Sequence, residues 1–211
     1  MSGKLIIILL FATVLDSMKS IQYYNIHSKA FYERTIHADL EGIYNKFLAH
    51  IRPSSKILDA GCGVGRDSKF FLSKGFTVQA FDGSEKMVRL ASKELDQAVL
   101  HMTFQNISFK EEFDAIWACC SLLHVPYKEL RKVMKKLKDA LKTNGLFYAS
   151  FKYGNSLRRI DGREFFDHNE QSIQPYLKEL FDLIEIWESA DIRIQAASPR
   201  KPWLNILCKA L

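Results

Sequence analysis

The sequence predicts an α/β fold: one mostly parallel sheet of seven strands with helices on both faces. Three observations carry this. From residue 56 onward, short β-rich apolar runs alternate with longer amphipathic stretches, the pattern of strand–helix–strand crossovers. The first apolar run ends in a turn holding Gly61, Gly63 and Gly65. The chain has 211 residues, 47% apolar and 26% charged, the balance of a globular domain with its own core. No repeat or low-complexity run is present, which excludes solenoid, collagen-like and disordered classes.

The elements follow in order. Residues 5–15 form an apolar run behind Lys4, shorter than the ~20 residues a membrane span needs. Leu15-Asp16-Ser17 lacks the small-x-small cleavage pattern of an export signal, and Met18 offers an alternative start. Residues 1–18 are read as an apolar extension outside the fold, with an export or membrane signal and a core helix as the other readings. Residues 19–211 are read as a single domain. Residues 26–51 supply helices ahead of the first strand, residues 56–60. Residues 64–74 form a helix that Gly75 stops. Residues 76–82 are β-rich and end on Asp82; residues 84–94 form a helix with Ser84 as N-cap. Residues 99–105 and 113–118 read as strands. Residues 127–142 form a helix, because Leu130, Val133, Met134, Leu137 and Leu141 fall on one stripe. A fifth strand spans 146–151, a helix 171–180, and two more strands 181–187 and 203–209.

The ligand signal lies at the first strand-to-helix turn, Asp59-Ala60-Gly61-Cys62-Gly63-Val64-Gly65-Arg66. Glycine admits positive φ and lets a ligand approach the backbone. Ligands of open α/β sheets bind beyond the carboxyl ends of the strands. Asp82, at the end of the second strand, is placed to accept both hydroxyls of a ribose. A nicotinamide dinucleotide wants G-x-G-x-x-G, but the third glycine position of that pattern holds Arg66. Asp59 would also set negative charge near a pyrophosphate. S-adenosylmethionine has an ammonium, a ribose and no phosphate, and these residues favour it.

Residues 57–65 resemble motif I of the class I S-adenosylmethionine-dependent methyltransferases, and Arg66-Asp67-Ser68 is similar to the version found in tellurite-resistance-type small-molecule methyltransferases. The resemblance runs on through Phe81-Asp82-Gly83-Ser84, through residues 117–126 and 146–152, and to Trp203-Leu204-Asn205. It implies a Rossmann-like sheet whose last strand is antiparallel and inserted between its neighbours. It also implies roles. Asp59 and Arg66 would address the amino and carboxylate ends of the methionine moiety, and Gly61, Gly63 and Gly65 would give backbone access, with Cys62 in the same tight turn counted among the cofactor-binding residues. Asp82 would hold the ribose, with Gly83 and Ser84 beside it in the cofactor-binding set and Met87 packing near the adenine. Asn106, where the family often has Asp, and Ile107 would flank the adenine. Ala118 and Cys119 would line the floor under the sulfonium. The activity implied is methyl transfer, with His124 as the candidate general base. A tRNA methyltransferase and a non-catalytic S-adenosylmethionine sensor or partner subunit are the alternatives.

The acceptor is expected to be a small molecule. The lid would come from the N-terminal helices and the segment after the fifth strand, which offer Tyr24, Phe31, Tyr32, Lys152, Tyr153, Arg158, Arg159 and Arg163. Aromatic walls with several cations suit a small, flat or anionic acceptor. The chain ends at Leu211, directly after the last strand, leaving no second recognition domain in this reading. The net charge of +6 permits an anionic partner without demanding nucleic acid. The Lys-rich stretch 127–142 reads as a solvated helix face. The cysteines Cys62, Cys119, Cys120 and Cys208 form no zinc-spaced set, so no metal is expected. They fit a reducing cytoplasmic compartment, and Cys119 and Cys120 read as buried small residues.

Overall fold

The computed structural model describes residues 3–191 and 201–211, with side chains from residue 19 onward. Its elements are α1 (Gly3–Thr35), α2 (Glu41–Leu48), β1 (Lys56–Ala60), α3 (Arg66–Ser73), β2 (Thr77–Asp82), α4 (Glu85–Leu95), β3 (Leu100–His101), β4 (Phe113–Ala118), α5 (Tyr127–Ala140), β5 (Leu141–Lys152), β6 (Leu157–Ile160), β7 (Arg163–Phe166), α6 (Glu170–Leu177), β8 (Phe181–Ser189) and β9 (Trp203–Ala210). The main sheet has the order β3-β2-β1-β4-β5-β9-β8. Strands β1 to β5 pair in parallel. β9 runs antiparallel between β5 and β8, the insertion that the resemblance implies.

Alternation along the strands builds two cores. Leu58, Ile116 and Phe147 face α5 and α6, packing with Leu130, Leu137 and Ile173. Ile57, Trp117 and Tyr148 point the other way and pack with Phe47 of α2 and Phe71 of α3. Trp117 stacks on Tyr148 with ring centroids 4.1 Å apart. Both faces are therefore covered, as a parallel sheet requires.

Three elements differ from expectation. Helix starts at Gly3, not at residue 26. No glycine or proline interrupts residues 4–35, and the helix breaks only at His27 (φ −104°, ψ 16°). The expectation that residues 1–18 stand apart from the fold concerns side chains outside the described residues. Strand β3 is only Leu100–His101, because its partner β2 ends at Asp82 and leaves nothing further to pair with; Phe104–Asn106 forms a 3₁₀ turn instead. A separate hairpin, β6–β7, follows β5. Asp161 (φ 53°) and Gly162 (φ 77°) make its two-residue turn, the Asp-Gly pair that favours positive φ at both positions.

Candidate active site at the strand ends

A cavity of about 520 Å³ opens where β1, β2 and β4 end, on both sides of the point where strand order reverses. The glycine turn forms one wall. Gly61 and Cys62 donate their N–H groups to Phe81 O at 2.9 Å, and Gly63 N–H donates to Asp82 Oδ2 at 2.9 Å. The turn is thus tied to the end of β2. A Cβ on Gly61 would lie 2.5 Å from Ser121 Cβ, so the β1 and β4 loops touch with no room for a side chain. Gly65 does a different job. A Cβ there would meet Leu95 at 3.2 Å and Ala91 at 3.3 Å, so this glycine lets α3 lie against α4 and does not line the cavity.

Asp82 is held from both sides. Its Oδ1 accepts from Ser84 N–H at 2.7 Å while Oδ2 accepts from Gly63. Each oxygen keeps a further lone-pair site. Burial pushes this carboxyl up, and the backbone donors oppose that. Ser84 caps α4 by accepting from Met87 N–H at 3.2 Å and donates to Asn25 Oδ1 at 2.7 Å. Gly83, Ser84 and Met87 line the cavity, followed by Met102, Thr103, Phe104 and Gln105. Asn106 and Ile107 do not line it. The 3₁₀ turn leaves Asn106 exposed and drives Ile107 into the core, 1% exposed. The wall expected from those two residues comes instead from Thr103 to Gln105.

Beside the turn lies a buried charged cluster. Asp67 accepts from Arg66 Nε (2.6 Å) and Nη2 (3.0 Å), from Tyr44 Oη–H at 2.5 Å and from Trp117 Nε1–H at 2.8 Å. Burial works against its ionisation, but Arg66 and these donors hold its carboxyl below the usual range. Arg66 lines the cavity with its guanidinium folded back onto Asp67. Asp59 lies behind the turn, 2% exposed, and accepts from Ser68 Oγ–H at 2.6 Å. Burial and the charge of Asp67 push it up to about 8. Asp67 and Tyr44 were not among the expected site residues. The sequence places Asp67 beside Arg66, but nothing local ties it to Tyr44 or Trp117.

The floor after β4 is Cys119, Cys120 and Ser121; Ala118 is buried behind them. His124 faces the cavity between α1 and the hairpin. Its Nδ1 lies 2.6 Å from the carbonyl of Glu164, an acceptor only, so Nδ1 carries the hydrogen. Nε2 therefore keeps its lone pair and accepts from Tyr24 Oη–H at 2.9 Å. Burial holds this imidazole down at about 4. The hairpin and α1 meet over this pair. Glu164 N–H donates to Ser20 Oγ at 3.2 Å, and the Arg163 guanidinium sits 4.1 Å from the Tyr23 ring centre.

The lid cations do not present an anion site. Lys152 is buried, its Nζ 2.7 Å from Asp191 Oδ2 and 3.7 Å from the Trp203 ring centre. Arg158 grips the buried Asp167 at 2.5 and 2.8 Å, and Arg159 pairs with the buried Glu164 at 2.7 Å. Tyr32 lies outside the cavity, donating to Glu94 at 2.8 Å. Arg163 and Lys152 also fall outside its lining. Acids therefore neutralise Lys152, Arg158 and Arg159, and these cations do not converge on the cavity as expected.

The residues present fit S-adenosylmethionine. The cavity carries, in Asp82, a carboxylate with spare acceptor sites, and a backbone turn open to close approach. The comparisons agree with that. Residues 57–145 match the methyltransferase domain family. Malonyl-[acyl-carrier protein] O-methyltransferase of Erwinia pyrifoliae is 34% identical over 109 residues, covering 47% of this chain and 42% of that protein. The chain spans about half, or less, of the length of most curated relatives it matches. Among solved structures, magnesium protoporphyrin IX methyltransferase of Synechocystis, with bound S-adenosylhomocysteine, has a TM-score of 0.72 at 18% identity, covering 92% of this chain and 99% of that one. TehB of Haemophilus influenzae has a TM-score of 0.69 at 17% identity, covering 85% of this chain and 65% of that one. Residues 57–145 thus match a methyltransferase domain, and the chain shares its fold and strand order with solved methyltransferases.

Proposed function

We propose that this chain transfers a methyl group from S-adenosylmethionine to a small-molecule acceptor in a reducing, cytoplasmic compartment. The observation that carries the reading is a single cavity joining Asp82 and Met87 at one end to Tyr24, His124 and the Cys119–Cys120 floor at the other. The cofactor, when bound, supplies a methyl group already activated on a sulfonium. The chain's work is then alignment and exclusion of water. Asp82 would accept the ribose hydroxyls, with Gly83 and Ser84 fixing its loop. Gly61, Cys62 and Gly63 would give backbone access, and Met87 with Thr103 to Gln105 would enclose the adenine. Arg66 would meet the methionine carboxylate from its place on Asp67. α1 and the β6–β7 hairpin would cover the acceptor. An oxygen or nitrogen acceptor could pass its proton to Tyr24, whose own proton already points at His124 Nε2; a softer nucleophile needs no base.

The acceptor is compact in this reading because the basic helix is engaged elsewhere. Arg131 donates to the carbonyls of Pro175, Tyr176 and Lys178 at the end of α6. Lys135 pairs with Asp139, and Lys136 donates to Ile107 O at 2.7 Å. These contacts place α5 against α6 and the core, away from the residues lining the cavity.

Calorimetry tests the cofactor. S-adenosylhomocysteine should bind and NAD should not, and Asp82→Ala should weaken binding by about 1.5–3 kcal/mol, the scale of hydrogen bonds to charged groups. NAD binding in its place sinks the assignment. Metabolite profiling with an isotopically labelled methyl donor tests the acceptor; label found only in a parallel tRNA fraction overturns the small-molecule reading.

His124 gives a pH signature. Its folded pKa lies below the ordinary 6.5, at about 4, so its neutral form contributes stability above pH 6.5 that is lost as pH falls toward 4. The stability difference between wild type and His124→Gln should therefore shrink through that window by up to about 1.4 kcal/mol per pH unit. Urea unfolding at pH 7 and pH 5 reads this directly. A difference that stays constant means the imidazole is not held neutral.

A further inference from the structure

Cys119 and Cys120 are adjacent, and neighbouring side chains on an extended strand point to opposite faces. Here they do not. Cys120 takes a left-handed conformation (φ 54°) just past the end of β4, which turns both thiols to the same cavity wall. Their sulfurs lie 3.6 Å apart. Ser150 Oγ stands 3.5 Å from Cys120 Sγ and 3.9 Å from Cys119 Sγ, and it accepts Cys120 N–H at 2.8 Å, anchoring the loop. Arg66 Nη2 stands 4.0 Å from Cys119 Sγ. Two thiols and two polar groups thus converge on one spot of the cavity floor.

We propose that Cys119 and Cys120 form a dithiol clamp for a thiophilic trivalent oxyacid of the arsenous acid type. Two alternative uses of the pair fit less well. A disulfide needs Cα atoms about 4.4–6.8 Å apart, whereas consecutive residues sit at ~3.8 Å, so the pair resists internal oxidation. A structural zinc needs four ligands, and among the described residues no group of three His, Cys, Asp or Glu side chains is placed to hold a metal. A pyramidal trivalent centre needs only two thiols and retains one hydroxyl, for which Ser150 and Arg66 stand as hydrogen-bond partners. The neighbouring Cys120 thiol and burial push Cys119 well above its ordinary range, which disfavours metals that require preformed thiolates. The oxyacid carries no such demand. In the exchange As(OH)₃ + 2 RSH → HO–As(SR)₂ + 2 H₂O, two As–S bonds replace two As–O bonds. Both thiol protons leave in water, and arsenic stays trivalent.

The probe is phenylarsine oxide, which closes on a dithiol with loss of one water. The full-length reduced chain should take one equivalent, seen by native mass spectrometry, lose two titratable thiols, and release the adduct to 2,3-dimercaptopropanol. Cys119→Ser and Cys120→Ser should each abolish the adduct at equimolar probe, while Cys208→Ser should retain it. Alkylation and peptide mapping of the wild type give a second readout that needs no variant: the probe should protect the peptide holding residues 119 and 120. No adduct on the folded wild type, an adduct that survives Cys119→Ser, or protection elsewhere overturns the proposal. S-adenosylhomocysteine calorimetry on the same samples reports separately on the methyltransferase reading.

Discussion

Asp67→Ala should lower the unfolding free energy by about 3–5 kcal/mol, the scale for removing one partner of a buried ion pair. The carboxylate accepts from three side chains at once: the Arg66 guanidinium, the Tyr44 phenol and the Trp117 indole. Alanine leaves a guanidinium and two buried donors with lost partners, and each orphaned donor carries its own desolvation penalty. Tyr44 belongs to α2, Arg66 to α3 and Trp117 to β4, so one side chain pins two helices to the sheet. Asp67→Asn is the informative companion. It keeps an acceptor oxygen and loses the charge, so it should fall between wild type and alanine. Urea unfolding monitored by tryptophan fluorescence measures all three. A change below about 0.5 kcal/mol for alanine, the level of an ordinary surface substitution, would show that the cluster does not hold these elements together.

Gly61→Ala should abolish measurable S-adenosylhomocysteine binding and destabilise the fold by about 1–3 kcal/mol, as overpacking does. Two effects combine. The backbone at Gly61 has φ 77°, a region that L side chains avoid. The new Cβ would also sit 2.5 Å from Ser121 Cβ. Ser121 cannot swing away without breaking the bond its Oγ–H donates to Ala60 O at 2.7 Å. The double variant Gly61→Ala/Ser121→Gly separates the two. It removes the clash and leaves the backbone strain, so it should recover part of the stability and only some of the affinity. Full recovery would mean that the clash was the whole effect.

Local signals made most of the fold legible. The strand and helix order could be read because each element carries its own periodicity, and the glycine turn and Asp82 because both directly follow strands. The hairpin after β5 was missed although Asp161-Gly162 is a hairpin-turn pair, since its strands are only four residues each. The lid arginines were misjudged for a related reason. Arg159 stands opposite Glu164 in the hairpin register, and without that register the acid that neutralises it cannot be paired with it. The Asp67 cluster was out of reach altogether. Its partners Tyr44 and Trp117 lie 23 and 50 residues away in sequence, and only the stacked sheet brings them together. Asn106 shows the opposite error: a one-turn 3₁₀ segment is enough to rotate a plausible ligand into solvent.

The position of β9 bears on how the chain reaches this state. β8 is made before β9, yet β9 must enter between β8 and β5. Its partners on β5 lie more than fifty residues earlier in sequence. Until residues 203–210 pair, β5 and β8 each present a backbone edge with no neighbour, the kind of edge that recruits foreign strands. Non-local pairing of this sort is slow because the intervening loop must be closed first. The parallel half, β1 to β4, can assemble as the ribosome releases it. The strand that completes the hydrogen bonding of β5 and β8 is the last of the sheet to be made, and its pairing closes both open edges in one step.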